Sequence, residues 1–161
     1  MKDSVLKGKR ILAVDDEPDV LAVLHDEIMG ACPDCRFDKA TQYEEAVQKI
    51  NSSAYDLVIL DIMGVRGFDL LELAVKRNLR VVMLTAHALS PEALKRSYEL
   101  KARSYLPKEK LGEVVPFLED ALTQDFSTGW KRLFGKMGAY FDQRFGKEWK
   151  STLGTDWWGW D

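Results

Sequence analysis

Five positions carry side chains that could together bind a metal ion and a phosphoryl group. Asp15 and Asp16 follow the run RILAV, Asp61 follows LVIL, Thr85 follows VVML and Lys108 follows RSYLP. Carboxylates brought close together repel one another unless a cation joins them. Hard oxygen ligands suit Mg²⁺, which also takes water and phosphate oxygens. One carboxylate could then become an acyl phosphate, while the hydroxyl and the lysine hold phosphoryl oxygens.

These positions meet only if the runs before them are strands that end at one edge of a sheet. Residues 10–14, 57–60 and 81–84 form short apolar runs, which are typical of parallel strands buried on both faces. Residues 36–40 and 103–106 are more polar strand candidates. Ligand sites of open parallel sheets form where the strands end, because the loops there leave a crevice.

Helical patterns fill the intervals between the predicted strands. Pro18 opens the first helix, Thr41 with Glu44 resembles a capping box before the second, and Ser90 caps the fourth. Pro116 should kink or delay the fifth. Strands and helices therefore alternate five times, which predicts an α/β fold with a parallel sheet and helices on both of its faces.

The ordered motifs resemble the receiver domain of bacterial two-component response regulators. The resemblance covers about residues 9–123 and rests on AVDDEPD at 13–19, LVILDIM at 57–63, MLTA at 83–86 and SYLPK at 104–108. No single motif is specific, but all occur in order and each lies at a predicted strand end. The resemblance implies a flavodoxin-like, doubly wound (βα)5 sheet with strand order 2-1-3-4-5.

The resemblance also implies a phosphoacceptor and a set of metal ligands. Asp61 resembles the aspartate that is phosphorylated. Asp16, helped by Asp15, resembles the Mg²⁺ ligand of the family, and Asp61 joins them. The backbone carbonyl of Met63, two residues beyond the acceptor, is similar to the remaining protein ligand.

Three further positions match the parts that respond to phosphorylation. Thr85 resembles the switch hydroxyl, Lys108 the lysine that pairs with the phosphoryl group, and Tyr105 the aromatic residue whose rotamer reports the switch. The resemblance implies that a histidine kinase or phosphotransfer protein donates the phosphoryl group. The output would then be contact with a protein partner through the face formed by the fourth helix, fifth strand and fifth helix.

Two stretches beside the site depart from the family's pattern. The loop after Asp61, DIMGVRGF, has Val65 in place of a proline and reaches Gly67 about two residues early. Glu109 follows Lys108 where the family usually has a proline. Both changes are predicted to alter dephosphorylation or partner fit, although neither removes a chemically required group.

Two functions follow, from different classes. The first is a stand-alone response regulator, a phosphoacceptor switch rather than an enzyme in the ordinary sense. The second, suggested by the short loop, is a receiver-like interaction module that no longer cycles. A hydrolase with an aspartyl nucleophile is disfavoured, because Asp15 and Asp16 are adjacent and do not form the D-x-D pair of that class.

Composition favours a cytoplasmic protein with one domain and an appendage. The 161 residues carry a net charge of −3, so overall charge does not point to nucleic acid. No apolar run approaches the ~20 residues that cross a bilayer, and MKDSVLKGKR lacks an apolar signal core. Cys32 and Cys35 come at a predicted helix end and are interpreted as loop residues rather than a redox pair or half of a zinc site.

The last part of the chain differs from the predicted receiver domain at residues 1–123. Residues 124–161 are predicted to form a Trp-rich amphipathic extension, and residues 126–161 hold ten of the 17 aromatic residues and all five Trp. One helix, or two interrupted by glycines, would place the apolar residues on one face. That face could pack on this receiver, on a second copy in a homodimer, on another protein, or less readily on a membrane surface. No helix-turn-helix pattern is present, so direct DNA binding is not expected.

Overall fold

Five parallel strands form a single sheet in the centre of the protein. The computed structural model describes residues 4–86 and 89–152. The strands, in chain order, are β1 Arg10–Val14, β2 Arg36–Ala40, β3 Leu57–Asp61, β4 Arg80–Thr85 and β5 Ser104–Pro107. Their spatial order is β2-β1-β3-β4-β5, with every neighbouring pair parallel. The predicted doubly wound fold and its strand order are therefore confirmed.

Helices follow each strand and continue beyond the last one. They are α1 Pro18–Ala31, α2 Tyr43–Ser52, α3 Gly67–Lys76, α4 Pro91–Glu99, α5 Val114–Thr123, α6 Phe126–Phe145 and α7 Trp149–Thr152, with a 3₁₀ helix at Lys108–Glu113 before α5. α1 packs against α5, and α2 packs against α3. Every residue of β3 is buried, as expected for a central strand covered on both faces.

The helix starts follow the sequence signals at three of four places, and the first of these is Pro18, where α1 begins. The Ser90 side chain accepts a hydrogen bond of 3.1 Å from the N–H three residues further on and so caps α4. Pro116 lies in the first turn of α5, where its missing N–H costs nothing. The capping box predicted at Thr41 and Glu44 is wrong, because the Thr41 N–H donates to Glu45 at 3.0 Å instead.

The extension forms a continuous helix that lies on its own receiver. α6 runs through Gly135 and Gly138 and ends at Gly146, whose positive φ of 84° suits glycine. α6 contacts α5 and β5, and α7 contacts α4. Packing on the same chain, one of the possibilities left open by the sequence, is observed for residues 126–152. The final GTDWWGWD lies outside the described residues.

Buried aromatic residues and a few polar contacts fix the extension in place. Trp130 and Phe141 are completely buried. The indole N–H of Trp130 donates to the carbonyl of Ala102 at 2.9 Å, so its one polar atom has a partner. Asp120 of α5 pairs with Arg132 at 3.1 Å and Lys136 at 2.8 Å. The extension is therefore bound to the receiver by an apolar core and by ion pairs at its edge.

Two further sequence-level expectations concern membranes and cysteines. Within the described residues, none of the helices combines the length and the apolar character that crossing a bilayer requires. Cys32 and Cys35 are both buried free thiols, and Cys35 donates to the carbonyl of Leu6 at 2.9 Å. Burial raises the pKa of Cys35 to about 12, so this thiol is a poor nucleophile at neutral pH.

Candidate functional site

The site lies at the carboxyl-terminal edge of the sheet, as the sequence predicts. β1 ends at Val14, immediately before Asp15, and β3 ends at Asp61 itself. In the parallel register Thr85 of β4 lies beside Pro107 of β5. The parallel ladders therefore bring Asp15, Asp61, Thr85 and Lys108 to one edge although they are far apart in the chain.

An acidic cluster forms the floor of this edge. One carboxylate oxygen from each of Asp15, Asp16 and Asp61 can be chosen so that all three lie within 4.8 Å of one another. Asp15 is 0% exposed and Asp61 is 4% exposed, whereas Asp16 faces solvent. Such a group of oxygen ligands, open on one side, could hold a divalent metal ion.

Lys108 reaches into the cluster and is shared among several acids. Its Nζ lies 2.9 Å from Oδ2 of Asp15, 3.3 Å from Oδ1 of Asp61 and 2.8 Å from Oε1 of Glu17. Burial lowers the pKa of Lys108, but hydrogen bonds to Glu17 and Asp15 and the charge of Asp61 outweigh it, so that pKa is raised. The lysine is therefore a fixed positive charge of the site.

The buried acids are poorly compensated despite this lysine. Burial, and then the negative charge of Asp15, raise the pKa of Asp61 to about 6, with Lys108 acting in the opposite direction. Burial likewise raises the pKa of Asp15. Oδ2 of Asp15 is buried, and its contact at 2.9 Å is with Lys108, which Glu17 and Asp61 share. A bound cation would relieve both carboxylates, so the residues present fit a metal ion.

The remaining predicted residues lie around the cluster. Thr85 is buried at the end of β4, and it lines a cavity of about 180 Å³ together with Lys108. Tyr105 is fully buried in β5, its hydroxyl oxygen accepts from the N–H of Ser90 at 3.3 Å, and burial raises its pKa. Met63 lies in the loop after β3 with its side chain 53% exposed, so it can contribute its backbone without a buried side chain.

A comparison with known protein families identifies the domain that contains this edge. The family described as the response regulator receiver domain matches residues 11–115, which include the whole sheet except the first residue of β1. This chain belongs to that family. The receiver-domain family that the motifs predicted is therefore confirmed.

Individual relatives belong to the same family, but they are much longer than this chain. Over 87 residues the receiver is 36% identical to the two-component response regulator ARR18 of Arabidopsis thaliana, an alignment of 50% of this chain and 13% of that protein. The chain therefore spans about an eighth of that relative's length. ARR18 is a plant protein, so the match does not support the bacterial source that the motifs suggested.

Solved structures share the receiver fold. The CheY-like receiver domain protein of Methanospirillum hungatei JF-1 is 25% identical and matches with a TM-score of 0.60 over 73% of this chain and 98% of its own. A Burkholderia pseudomallei response regulator, solved with a phosphorylated aspartic acid, calcium ion and citrate, matches with a TM-score of 0.64 over 77% of this chain and 72% of its own. At 19% identity the second match shows the fold alone.

The short loop of this receiver is held close to the acids by two glycines. Gly64 has a φ of 88°, and a Cβ there would lie 2.5 Å from Oδ2 of Asp16. A Cβ on Gly67 would collide with the carbonyl oxygen of Asp61. Val65 between them is buried. The loop thus turns tightly at its two glycines, with Val65 in the position of the family's proline. Gly64 was not predicted from the sequence to be a site residue.

Two other residues beside the site were missed as participants. Glu17 contacts Lys108 through its side chain, and its N–H donates to Oδ1 of Asp15 at 2.9 Å. Its place directly after Asp15 and Asp16 was the available signal. Glu109, noted only as a departure from the pattern, accepts hydrogen bonds from Tyr140 and from Arg144 of the extension. No sequence signal links residues so far apart.

Proposed function

We propose that this receiver domain is a phosphorylation switch in which Asp61 accepts a phosphoryl group with Mg²⁺ bound. The single observation that supports it most is the environment of Asp61. This carboxylate is buried, belongs to a cluster with Asp15 and Asp16, and is contacted by Lys108. A structural aspartate would not need an electrostatically unfavourable position of this kind.

In this proposal the acids and the loop hold the metal ion. Asp15, Asp16 and Asp61 supply carboxylate oxygens, and Met63 supplies its backbone carbonyl. When bound, the ion offsets the negative charge of the acids and of the incoming phosphoryl oxygens. Because the pKa of Asp61 is about 6, most of this carboxyl is ionised at neutral pH and able to act as a nucleophile.

The phosphoryl transfer needs little from the protein beyond position and charge. An oxygen of Asp61 attacks phosphorus, the bond from phosphorus to the donor breaks, and the donor keeps that electron pair. Lys108 and the Thr85 hydroxyl would hold phosphoryl oxygens. A histidine kinase or phosphotransfer protein in the cytoplasm would be the donor, and hydrolysis of the acyl phosphate would be self-catalysed.

The response to phosphorylation would be a shift between two conformations. The Thr85 hydroxyl turns toward the phosphoryl group, and Tyr105 repacks in β5. Such a switch works only if phosphorylation favours one conformation over the other. The output would be contact with a downstream protein. The division into a receiver at 1–123 and an extension at 124–161, and a stand-alone regulator, stay predictions.

Labelling by a small phosphodonor tests the acceptor. With Mg²⁺ and acetyl phosphate, the full chain should gain one base-labile phosphoryl group, and Asp61→Asn should not gain it. Asp34→Asn, an exposed acid at the other end of the sheet, is the matched control and should be labelled normally. Labelling of Asp61→Asn at the wild-type level would overturn the assignment. Absence of labelling in the wild-type chain would favour the non-cycling interaction module.

A further inference from the structure

A polar contact joins the extension to the residue that follows the site lysine. Oε1 of Glu109 accepts a hydrogen bond from the Tyr140 hydroxyl and one of 3.1 Å from Nη1 of Arg144. Lys108, its neighbour in the chain, points at Asp15 and Asp61. Consecutive side chains at the end of β5 therefore contact the acceptor site and the extension.

Arg144 also lines the cavity at the rim of the acceptor site. The cavity of about 180 Å³ is bounded by Thr85, Lys108 and Glu109 and by Arg144 from the last turn of α6. The Arg144 side chain is 49% exposed, so it is not locked by packing. A long guanidinium side chain hinged at this rim can turn from Glu109 toward the Thr85 side of the cavity.

The charge balance at the acceptor edge gives this movement a driving force. Lys108 is already shared among Asp15, Glu17 and Asp61, and Asp16 adds another carboxylate. With a divalent ion bound, the edge still carries net negative formal charge. Phosphorylation of Asp61 increases that charge, because a phosphoryl group carries more negative charge than the carboxylate that it modifies. A further cation would therefore be attracted to the cavity.

We propose that Arg144 is a second phosphoryl-binding cation of this receiver, supplied by the C-terminal extension, which exchanges Glu109 for a phosphoryl oxygen when Asp61 is phosphorylated. The proposal rests on the function proposed above. Guanidinium suits the task, because its planar set of donors matches phosphate oxygens. Glu109 would keep the hydrogen bond from Tyr140 and would not be left without a partner.

The consequence is that the extension takes part in the state of the acceptor site. By linkage, a phosphoryl group that binds Arg144 strengthens the docking of the end of α6 by the same factor with which Arg144 strengthens phosphoryl binding. α6 would tighten on phosphorylation instead of being released.

Beryllofluoride, which stands in for the phosphoryl group on Asp61, is the probe for the test. Its affinity for the full chain would be measured by titration calorimetry at saturating Mg²⁺ and constant ionic strength. Arg144→Gln should weaken binding about fivefold, a value at the low end of couplings between sites. Glu109→Gln should strengthen binding by a similar factor, because it frees the guanidinium from a competing carboxylate.

The opposite changes in beryllofluoride affinity expected for Arg144→Gln and Glu109→Gln distinguish the proposal from a purely structural role of Arg144. If Arg144 served only to hold Glu109 and the end of α6, both variants would weaken binding, and that result would overturn the proposal. Equal affinity of Arg144→Gln and the wild-type chain would overturn it as well. Urea unfolding followed by circular dichroism would check that both variants keep the wild-type fold.

A matched control and a baseline complete the design. Lys147→Gln removes the same charge just beyond α6, where the side chain is exposed and lines another surface cavity with Pro91 and Glu92. It should leave the beryllofluoride affinity unchanged, and a loss equal to that of Arg144→Gln would reduce the effect to net charge and overturn the proposal. Failure of the wild-type chain to bind beryllofluoride would contradict the proposed function itself, which is a different outcome.

Discussion

Two regions of this protein bury different kinds of side chains. The acceptor edge, formed by Asp15, Asp16 and Asp61, buries carboxylates, whereas the extension face, where α6 packs on α5 and β5, buries aromatic rings. At the acceptor edge Asp15 and Asp61 are buried with raised pKa values, and both share Lys108 as their cationic partner. At the extension face Trp130 and Phe141 are completely buried, and the polar atom of Trp130 is bonded. The first region is costly without a ligand, whereas the second is satisfied by the chain alone.

The difference indicates where stability and function lie. Buried aromatic area stabilises the fold by about 1.5–3 kcal/mol for each large apolar side chain. Buried carboxylates that share a single lysine act against the fold and are kept where a cation or a reaction needs them. The two regions adjoin at Lys108 and Glu109, so a change of charge in one can be felt by the other.

The largest expected effect comes from removing the central aromatic residue of the extension face. Trp130→Ala should lower the free energy of unfolding by about 3–5 kcal/mol, because it leaves a cavity and an unpaired Ala102 carbonyl. Urea unfolding followed by circular dichroism measures this. Val23→Ala, which truncates an apolar side chain that is 41% exposed on α1, should cost little and serves as the control.

A small cost for Trp130→Ala would contradict a stabilising role of the extension face. If the variant lost less than about 1 kcal/mol, the extension would contribute no more than an exposed side chain does. The receiver would then fold independently of α6, as the division at residue 123 assumes. A cost in the expected range would show that α6 belongs to the cooperative unit of the receiver.

At the acceptor edge, removing a buried group should raise the free energy of unfolding instead of lowering it. Without Mg²⁺, Asp61→Asn should stabilise the protein at neutral pH by about 3 kcal/mol at most, the value that corresponds to its pKa shift. The pKa of Asp61 rises from 3.8 unfolded to about 6 folded. The protonated form is therefore favoured by folding, and its contribution, complete below pH 3.8, is lost as pH rises through about 6.

The pH profile of the difference reports on Asp61 together with Asp15, whose negative charge contributes to the raised pKa of Asp61. Free energies of unfolding of wild type and Asp61→Asn, measured in chelator from pH 4 to pH 8, should diverge as pH rises and level off above about 7. Asp34→Asn removes an exposed carboxylate outside the cluster and serves as the control. Mg²⁺ should narrow the gap at neutral pH by stabilising the wild type. A gap that closes as pH rises in chelator would contradict the assigned electrostatics.

The two regions also differ in how well the sequence predicted them. Each acid of the cluster stands directly after an apolar run, and parallel strands align their ends, so local patterns located Asp15, Asp61, Thr85 and Lys108. The strand order, in contrast, came from the resemblance to the receiver family and not from the local patterns. These features depend on short segments and on a repeated topology, which a single sequence records well.

Long-range side-chain pairing was beyond such reasoning. The periodicity of residues 126–149 correctly predicted an apolar helical face, but the surface that it covers depends on tertiary contacts such as that of Trp130 with Ala102. The loop after Asp61 looked two residues too short, and only the backbone shows how glycine compensates at Gly64. The pairing of Glu109 with Arg144 is likewise a contact without a local signal.

The smallest expected effect lies at the start of α4. Ser90 caps this helix with its side chain, and its N–H donates to the Tyr105 hydroxyl oxygen. Ser90→Ala removes the cap but keeps the backbone donor, so it should cost about 1 kcal/mol in urea unfolding. Ser90→Asp should recover most of that loss, because a carboxylate both accepts the same hydrogen bond and favours a helix N-terminus.

The size of that loss tells to which region α4 belongs. The Tyr105 ring, whose hydroxyl is held by Ser90, lies 6.1 Å from the Phe141 ring of α6, measured between centroids. If the Ser90 side chain only caps the start of α4, the loss of stability stays at about 1 kcal/mol and the beryllofluoride affinity is unchanged. A loss well above about 2 kcal/mol, not recovered by Ser90→Asp, would mean that the start of α4 supports Tyr105 and the extension face together. The boundary between the two regions would then lie within α4 and not at Lys108 and Glu109.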